Sequence, residues 1–275
     1  MTGDQQTAAQ VDTATPSIAR TYDASLGGKD NFEVDREVMR QVLQVVPEFG
    51  DIAMGNRRWL IRAVRFLTEQ AGIDQFLDLG SGLPTAENTH QAAQRINPGA
   101  RVVYVDNDPA CHAFGRALLE ENQHTHFVDA DLTYPAEVFQ NSQVAKHLDF
   151  SRPVGLMHCA TLHHVADEQY PREIMEAYRE ALPSGSYLVL SHACDPQDAE
   201  GYYTRLARSL EQRFWDAGFG SGYLRTPDEI REFFGDWELI DPGLVILPHW
   251  WPDGPRVQPL TDGEHLMVGG VARKP

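Results

Sequence analysis

The spacing of apolar and polar positions changes near residue 75. From there, short apolar runs alternate with segments of helical periodicity, which is typical of a mostly parallel sheet covered by helices on both faces. The predicted strands are Phe76–Leu79, Arg101–Val105, His126–Val128, Val154–Cys159, Tyr187–His192, Trp237–Leu247 and Leu266–Arg273. The pattern therefore predicts an α/β fold.

Helical periodicity appears both between these strands and outside the alternation. Two helices are predicted before the first strand and two after the fifth, which a bare α/β alternation does not require. One of the latter begins at a capping box with proline in its first turn, Thr226-Pro-Asp-Glu229. The predicted helices are near 35–46, 57–71, 85–95, 171–182, 199–217 and 226–234, with another starting at Pro109.

The extra helices lead to a division of the chain. Residues 1–16, rich in Gln, Thr and Ala, are interpreted as a disordered tail, and residues 17–275 as one domain. Within that domain, residues 17–72 form an N-terminal helical cap and residues 196–225 a helical insertion. Both connect to the carboxyl edge of the sheet or can fold over it, and ligands bind there in α/β folds, so both are predicted lids. The alternative is that they only widen the hydrophobic core.

Composition and charge narrow the class of partner. The 275 residues carry a net charge of −17, which repels nucleic acids and anionic membranes, so neither is an expected partner. A basic cluster does occur on the second predicted helix, but its interleaved apolar residues favour an amphipathic helix with a solvated basic face. Its members are Arg57, Arg58, Arg62 and Arg65.

The cysteines and the apolar segments of the chain indicate its cellular location and its metal content. Its three cysteines lack metal-ligand or disulfide spacing. No apolar run approaches membrane-spanning length, and no signal-peptide core is visible. We therefore expect a cytoplasmic protein without a bound metal.

The first strand runs into a two-glycine turn, Gln75-Phe-Leu-Asp-Leu-Gly-Ser-Gly82, and the second ends in Asp106. This plan suits an adenosine, because glycines let the backbone approach and a strand-end carboxylate can accept both ribose hydroxyls. A dinucleotide site would need a third glycine, but Thr85 stands there, and Pro84 lacks the N–H that a phosphate needs. The turn therefore favours S-adenosylmethionine over a dinucleotide.

Strand ends supply the predicted cofactor contacts. Asp106, with Asn107 beside it, is expected at the ribose, and Asp78, Gly80 and Gly82 around the methionine moiety. Asp131 and Leu132, after the third strand, are expected at the adenine, with Asp129 as the alternative carboxylate.

These motifs resemble a family of actinobacterial S-adenosylmethionine-dependent methyltransferases long catalogued as a domain of unknown function. The resemblance extends from about residue 16 to the C-terminus, and the Leu-Gly-Gly-Lys-Asp-Asn block is specific to that family. It is carried by Ser17-Ile-Ala-Arg20, Leu26-Gly-Gly-Lys-Asp-Asn-Phe32, Gln75-Phe-Leu-Asp-Leu-Gly-Ser-Gly-Leu-Pro84 and Arg101-Val-Val-Tyr-Val-Asp-Asn-Asp-Pro109.

The resemblance implies a class I methyltransferase fold, a Rossmann-like sheet of seven strands with the last one antiparallel. It also implies that the N-terminal block folds over the donor, which makes Arg20, Tyr22 and Asn31 candidate cofactor contacts. Arg20 could pair with the methionine carboxylate, because a guanidinium fork suits a carboxylate. A block that only covers the sheet is the alternative.

Methyl transfer requires a base only when the acceptor is protonated. His163 and His164, after the fourth strand, and His192, at the end of the fifth, are candidates because all three fall at the active edge. His163 is favoured, although a buried histidine bonded to backbone is an equally good interpretation. His158 and His164 do not form a convincing metal pair.

Two adjacent tryptophans, Trp250 and Trp251, follow the sixth strand. If that strand is parallel, its following loop emerges at the active edge, where the two rings could wall an apolar or aromatic acceptor. The alternative is that they seal a homodimer interface.

The leading hypothesis is a methyltransferase that acts on a small-molecule acceptor by in-line displacement. The alternatives are a donor-binding sensor without turnover and a nicotinamide-dependent oxidoreductase.

Overall fold

The computed structural model describes residues 11–84, 87–118 and 122–275. Its helices are α1 (Ile18–Ser25), α2 (Glu33–Val42), α3 (Phe49–Glu69), α4 (Thr89–Ile96), α5 (Pro109–Leu118), α6 (Pro135–Gln140), α7 (Ser142–His147), α8 (Pro171–Ala181), α9 (Tyr202–Asp216) and α10 (Pro227–Glu232). Its strands are β1 (Gln75–Leu79), β2 (Arg101–Asp106), β3 (Thr125–Asp129), β4 (Gly155–Cys159), β5 (Tyr187–Ala193), β6 (Glu238–Leu239), β7 (Val245–Ile246) and β8 (Met267–Arg273).

The strands form one sheet in the order β3-β2-β1-β4-β5-β8-β6, and β7 also pairs with β8. The first five strands are parallel, while β8 runs antiparallel to β5. The predicted α/β fold with its antiparallel last strand is therefore confirmed. The predicted sixth strand is divided into β6 and β7, because the chain turns at Pro242-Gly243, where the Gly243 N–H bonds the Ile240 carbonyl.

Alternating strand residues fill two hydrophobic cores, one on each face of the sheet. On one face, Phe76 and its neighbours pack against α3, whose Trp59 and Leu67 are fully buried. On the other face, Leu77 and its neighbours pack against α8, including the buried Met175. Helices thus cover both faces of the sheet, which leaves the ends of the strands as the place where a ligand can bind.

The helices outside the alternation agree in part with the prediction. Helices α2, α3, α9 and α10 correspond to predicted segments, and Thr226 caps α10 with the expected capping box. Helices α1, α6 and α7 are additional. The helix predicted from residue 85 begins at Thr89, and residues 85 and 86 lie outside the described residues, as do residues 1–10 of the predicted tail.

No helix among the described residues is both long enough and apolar enough to cross a membrane.

Candidate functional site

A cavity of about 580 Å³ lies at the carboxyl ends of β1, β2, β4 and β5. Residues 11–22, helix α3 and helix α9 contribute its other walls. Part of the predicted tail, including Val11 and Thr15, therefore lines a cavity. Its size lies within the range of small-molecule sites.

The two-glycine turn forms one wall of this cavity. Gly80 and Gly82 have φ angles of 65° and 68°, a left-handed conformation that favours glycine. A Cβ on Gly80 would stand 2.6 Å from Cγ2 of Thr161, whereas one on Gly82 would meet no atom within 4 Å. Gly80 therefore permits close packing, and Gly82 leaves open space for a ligand.

Asp106 is fixed by the backbone beside this turn. Its Oδ2 accepts the Gly82 N–H at 2.8 Å, and its Oδ1 accepts the Asp108 N–H at 2.9 Å. Each carboxylate oxygen retains acceptor capacity for one further donor, so the group can receive two vicinal hydroxyls. Burial raises the pKa of Asp106, and Asn107 lines the cavity next to it.

Asp78 is the second buried carboxylate of the cavity, with 5% exposure. Its Oδ2 accepts a hydrogen bond from Thr89 Oγ1 at 2.6 Å. Burial raises the pKa of Asp78 to about 6, against the opposing effects of the Thr89 bond and the Arg57 charge.

Arg57 is a site residue that the sequence did not indicate. It lines the cavity, and its Nη2 donates to the Glu87 carbonyl at 2.6 Å. Its Nε is buried and has no hydrogen-bond partner among the described residues. The predicted solvated basic face thus holds for the exposed Arg58 but is wrong for Arg57. With Asp78, Arg57 offers complementary charges to an ammonium and a carboxylate.

Of the predicted adenine contacts, the structure brings Leu132 but not Asp131 into the cavity wall. A Cβ on Gly80 would lie 3.1 Å from Cδ2 of Leu132, so the leucine covers the glycine turn. Asp131 uses its Oδ1 to accept the backbone N–H and the hydroxyl of Thr133, at 2.8 and 2.7 Å.

Arg20 lines the cavity, but its guanidinium is engaged within the N-terminal segment. Its Nε donates to Asp35 at 2.8 Å in a buried ion pair, and its Nη2 donates to the Thr15 carbonyl at 2.6 Å. Ser17 donates through its N–H to Asp35 and through its hydroxyl to Asp108. Arg20 therefore holds the cap in place, and Arg57 is the better partner for a ligand carboxylate.

Tyr22 lines the cavity and connects three elements. Its hydroxyl donates to the Ala53 carbonyl at 3.0 Å and accepts from Nδ2 of Asn56 at 3.2 Å. Asn56, which was not among the predicted site residues, also accepts the Ser191 hydroxyl at 2.6 Å. This network ties α1 and α3 to β5 beneath the cavity.

Asn31 does not reach the cavity. Its Nδ2 donates to Asp23 at 2.7 Å and to the Gly28 carbonyl at 3.1 Å. A Cβ on Gly28 would stand 1.9 Å from the Asp23 carboxylate. The Leu-Gly-Gly-Lys-Asp-Asn block thus closes on Asp23 instead of on a ligand.

His163 and His164 lie on a 3-10 turn after β4 and line the cavity. The Ala193 N–H donates to Nδ1 of His163 at 3.4 Å, and Nδ1 of His164 lies 2.9 Å from the Ser221 hydroxyl. Burial lowers the pKa of both rings, that of His164 to about 4. Both histidines are therefore neutral near pH 7.

His192 lies away from the cavity, because strand alternation turns it to the opposite face from Ser191. It is fully buried, with Nδ1 donating to the Ala193 carbonyl at 2.6 Å and Nε2 accepting from Arg225 at 3.1 Å. Both ring nitrogens are satisfied, so His192 is a structural residue and leaves the set of base candidates. The described residues contain no cluster of three metal-ligating side chains.

Trp250 and Trp251 also lie away from the cavity lining. β7 does run in the parallel direction, but the 3-10 turn Leu247–His249 then leads the chain back along α3. Arg62 donates to the carbonyls of Leu247 and Trp250. Trp250 is fully buried against Trp59 and Phe66, and Trp251, 46% exposed, packs on Phe66.

Other apolar residues take the place predicted for the tryptophans. They come from α3, α9, the segment after α9 and the start of β8, beside the two histidines. The rings of Phe214 and Phe219 stack at 5.6 Å, and Phe219 contacts His164 edge-on at 5.8 Å. We call this wall the apolar end; it comprises Phe49, Ile52, Leu60, Leu210, Phe214, Phe219, Leu266 and Met267.

The opposite wall, over β1 and β2, is the polar end, comprising Arg57, Asp78, Gly80, Gly82, Asp106 and Asn107.

Comparison with known proteins identifies the chemistry. A family described as S-adenosyl methyltransferase matches residues 4–275. The chain belongs to this family. A Thermobifida fusca protein described as a candidate methyltransferase is 43% identical, with 96% of each chain covered and a TM-score of 0.89. A DUF574 family protein of Streptomyces avermitilis is 36% identical, with 97% of this chain and 100% of that one covered and a TM-score of 0.89. A search of curated proteins finds no match.

The protein is therefore an S-adenosylmethionine-dependent methyltransferase of class I, and the predicted cofactor and enzyme class are confirmed.

The residues of the polar end fit this cofactor. Asp106 can receive the ribose hydroxyls, and Leu132 offers an apolar surface to the adenine. Asp78 suits the ammonium. The Nε of Arg57, which has no hydrogen-bond partner within the described part of the chain, suits the carboxylate. When bound, S-adenosylmethionine supplies a methyl group activated by its sulfonium.

Proposed function

We propose that the protein methylates a small, uncharged organic molecule that binds at the apolar end of the cavity. The distribution of charge along the cavity carries this proposal. Its charged lining residues belong to residues 12–20, α3, the carboxyl ends of β1 and β2, and the loop after β2. They are Asp12, Arg20, Arg57, Asp78, Asp106 and Asp108.

The other end has a different lining. Among the described lining residues over β4, β5 and β8, the titratable side chains are Cys159, His163 and His164. Burial raises the pKa of Cys159 and lowers those of both histidines, so all three are neutral near pH 7. A charged acceptor would lose its hydration there without gaining a countercharge. An uncharged molecule with apolar surface gains from the contact.

The overall charge supports a small acceptor as well. At a net charge of −17, the surface repels polyanions such as RNA and DNA. Phe49 and Phe214, whose rings are 5.9 Å apart, join α3 to α9 across the apolar end. An acceptor that reaches the donor methyl must fit between these elements and the sheet.

The geometry suits in-line displacement, which depends on alignment and exclusion of water. The polar end lies over β2 and β1 and the apolar end over β4, β5 and β8. β4 lies next to β1 in the sheet, so Cys159 at its end and the histidine turn that follows it border the polar end. This position supports a role for the turn at the junction of donor and acceptor.

We also propose that the reaction takes place in the cytoplasm. All three cysteines are free thiols, and Cys111 and Cys194 are buried. Fractionation of cells that make the protein would test this, and recovery in a secreted fraction would contradict it.

Labelled transfer to a metabolite extract tests the acceptor class. Purified protein is incubated with methyl-labelled S-adenosylmethionine and an extract separated by size into small molecules and macromolecules. Label is expected in the small-molecule fraction, in a product extracted into an organic solvent at neutral pH. Label in protein or nucleic acid, or in a charged product only, would contradict the proposal. The Asp106→Ala variant supplies the background.

A further inference from the structure

The two neighbouring histidines differ in what their Nδ1 atoms contact. Nδ1 of His163 receives the Ala193 N–H, a group that can only donate, so its neutral ring carries the proton on Nε2. Nδ1 of His164 faces the Ser221 hydroxyl at 2.9 Å, which can donate or accept. His164 can therefore hold its proton on Nδ1 and present an Nε2 lone pair, which His163 cannot do while it keeps its bond to Ala193.

The segment after α9 holds this turn from several sides. The Gly222 and Tyr223 N–H groups donate to the His163 carbonyl at 3.1 and 2.7 Å. Arg225, 8% exposed, donates to the carbonyls of Leu162 and Val165 at 2.9 and 2.8 Å. Ser221 lies in the same segment and is 7% exposed. The segment that fixes the backbone of the turn therefore also supplies the hydroxyl group that contacts His164.

We propose that His164 Nε2 accepts the proton of a hydroxyl group on an aromatic acceptor, and that Ser221 is the positioning residue, whose hydroxyl oxygen accepts the Nδ1 proton of His164 in the required tautomer. This inference rests on the proposed function, because it concerns the acceptor at the apolar end. The aromatic class follows from the stacked rings of Phe214 and Phe219, with Phe219 in edge contact with His164. A hydroxyl is preferred to an aliphatic amine, because an ammonium would find no carboxylate among the described residues of the apolar end.

The proton and electron balance is complete without a further reactant. The acceptor oxygen forms a bond to the methyl carbon, and the carbon–sulfur bond breaks with its electron pair left on sulfur. The hydroxyl proton passes to Nε2 of His164 and is released to water after product departure. A weak base suffices, because the hydroxyl proton becomes strongly acidic as the oxygen acquires the methyl group.

The tautomer can be observed without any acceptor. Nitrogen-15 NMR of the imidazole rings distinguishes protonated from unprotonated nitrogens, and His164→Asn identifies the signals. In the wild-type protein loaded with S-adenosylhomocysteine, His164 is expected with its proton on Nδ1. Ser221→Ala should lose this preference, and Ser221→Thr should restore it. A His164 ring that carries its proton on Nε2 in the wild type would overturn the proposal.

Binding of simple rings tests the acceptor class. Phenol, aniline and anisole are titrated into the protein loaded with S-adenosylhomocysteine. Phenol is expected to bind about tenfold more tightly than anisole, since anisole cannot donate to Nε2 and leaves it unpaired. His164→Phe should abolish this difference, whereas His124→Asn, before β3 at the opposite edge of the sheet, should retain it.

The outcomes separate the two proposals. Equal binding of phenol and anisole, or a preference for aniline, would overturn the assignment of His164 and leave the apolar acceptor site standing. If none of the three rings binds, the proposed function loses its support, and the assignment that rests on it falls too.

Discussion

The polar and apolar ends of the cavity are built by different parts of the chain. At the polar end, Asp78 and Asp106 lie at the carboxyl ends of β1 and β2, and backbone N–H groups fix Asp106. At the apolar end, the walls come mainly from α3, α9 and the segment after α9, which lie outside the strand–helix alternation. The sheet thus supplies the carboxylates and glycines of the polar end, to which α3 adds Arg57, whereas the added segments supply most of the apolar end.

Asp106→Ala is expected to have the largest effect, because it removes the acceptor of two ribose hydroxyls. Each hydrogen bond to a charged group is worth about 1.5–3 kcal/mol, so affinity for S-adenosylhomocysteine should fall about 100-fold or more. Calorimetric titration measures the change. Asp149→Ala, an exposed carboxylate that bonds Ser151, is the matched control and should bind normally. A loss of less than a few-fold in Asp106→Ala would remove Asp106 from the donor site.

Arg57→Met tests whether the polar end binds the amino-acid moiety and the adenosine moiety of the donor through different residues. Affinity for S-adenosylhomocysteine should fall about 10- to 30-fold, since the carboxylate of the amino-acid moiety loses a charged donor. Affinity for 5′-methylthioadenosine, which lacks that moiety, should not change. Arg58→Met, the exposed neighbour on α3, is the control. An equal loss for both ligands would show that Arg57 supports the fold of the site instead of the carboxylate.

Much of the fold and of the polar end could be predicted from the sequence, because both depend on local patterns. The strands appear as apolar runs, and Gly80, Gly82 and Asp106 follow from the geometry of a strand end. The structure places all three at the cavity.

The remaining residues depend on contacts between distant segments. Arg57 lies at the border of the apolar stripe of α3, three residues before Leu60, and helical periodicity alone does not tell whether such a border residue faces solvent or a cavity. The direction of the chain after β7 depends on the 3-10 turn and on Arg62, 185 residues before Leu247, so the tryptophans could not be placed. The pairing of His164 with Ser221 likewise spans 57 residues.

Phe219→Ala tests whether the apolar end contributes to acceptor binding without contributing to donor binding. Removing this ring should raise the KM for the acceptor about tenfold, in line with the loss of a buried aromatic contact. Affinity for S-adenosylhomocysteine should stay within twofold. Trp215→Ala removes an aromatic ring of α9 that is 43% exposed and should change neither quantity. A parallel loss of donor affinity in Phe219→Ala would erase the distinction between the two ends.

An effect of similar size is expected from the pH dependence of donor affinity, which belongs to the polar end. Burial raises the pKa of Asp78 to about 6, so in the free protein this carboxyl becomes neutral as pH falls below that value. Only the ionised form pairs with the ligand ammonium. Affinity for S-adenosylhomocysteine should therefore be about tenfold weaker at pH 5 than at pH 7, and binding near pH 6 should release a proton.

The Asp78→Asn variant decides which group causes this dependence. Besides Asp78 itself, the charged groups around it are Arg57 on α3 and Asp106 at the end of β2, and burial also raises the pKa of Asp106. Thr89 can still donate to the amide oxygen of the variant, so the local structure should persist. Asp78→Asn should bind more weakly at pH 7, with a flat profile and no proton release in calorimetry with different buffers. If the affinity of Asp78→Asn for S-adenosylhomocysteine still falls between pH 7 and pH 5, Asp106 is the titrating group, and the ammonium contact assigned to Asp78 is wrong.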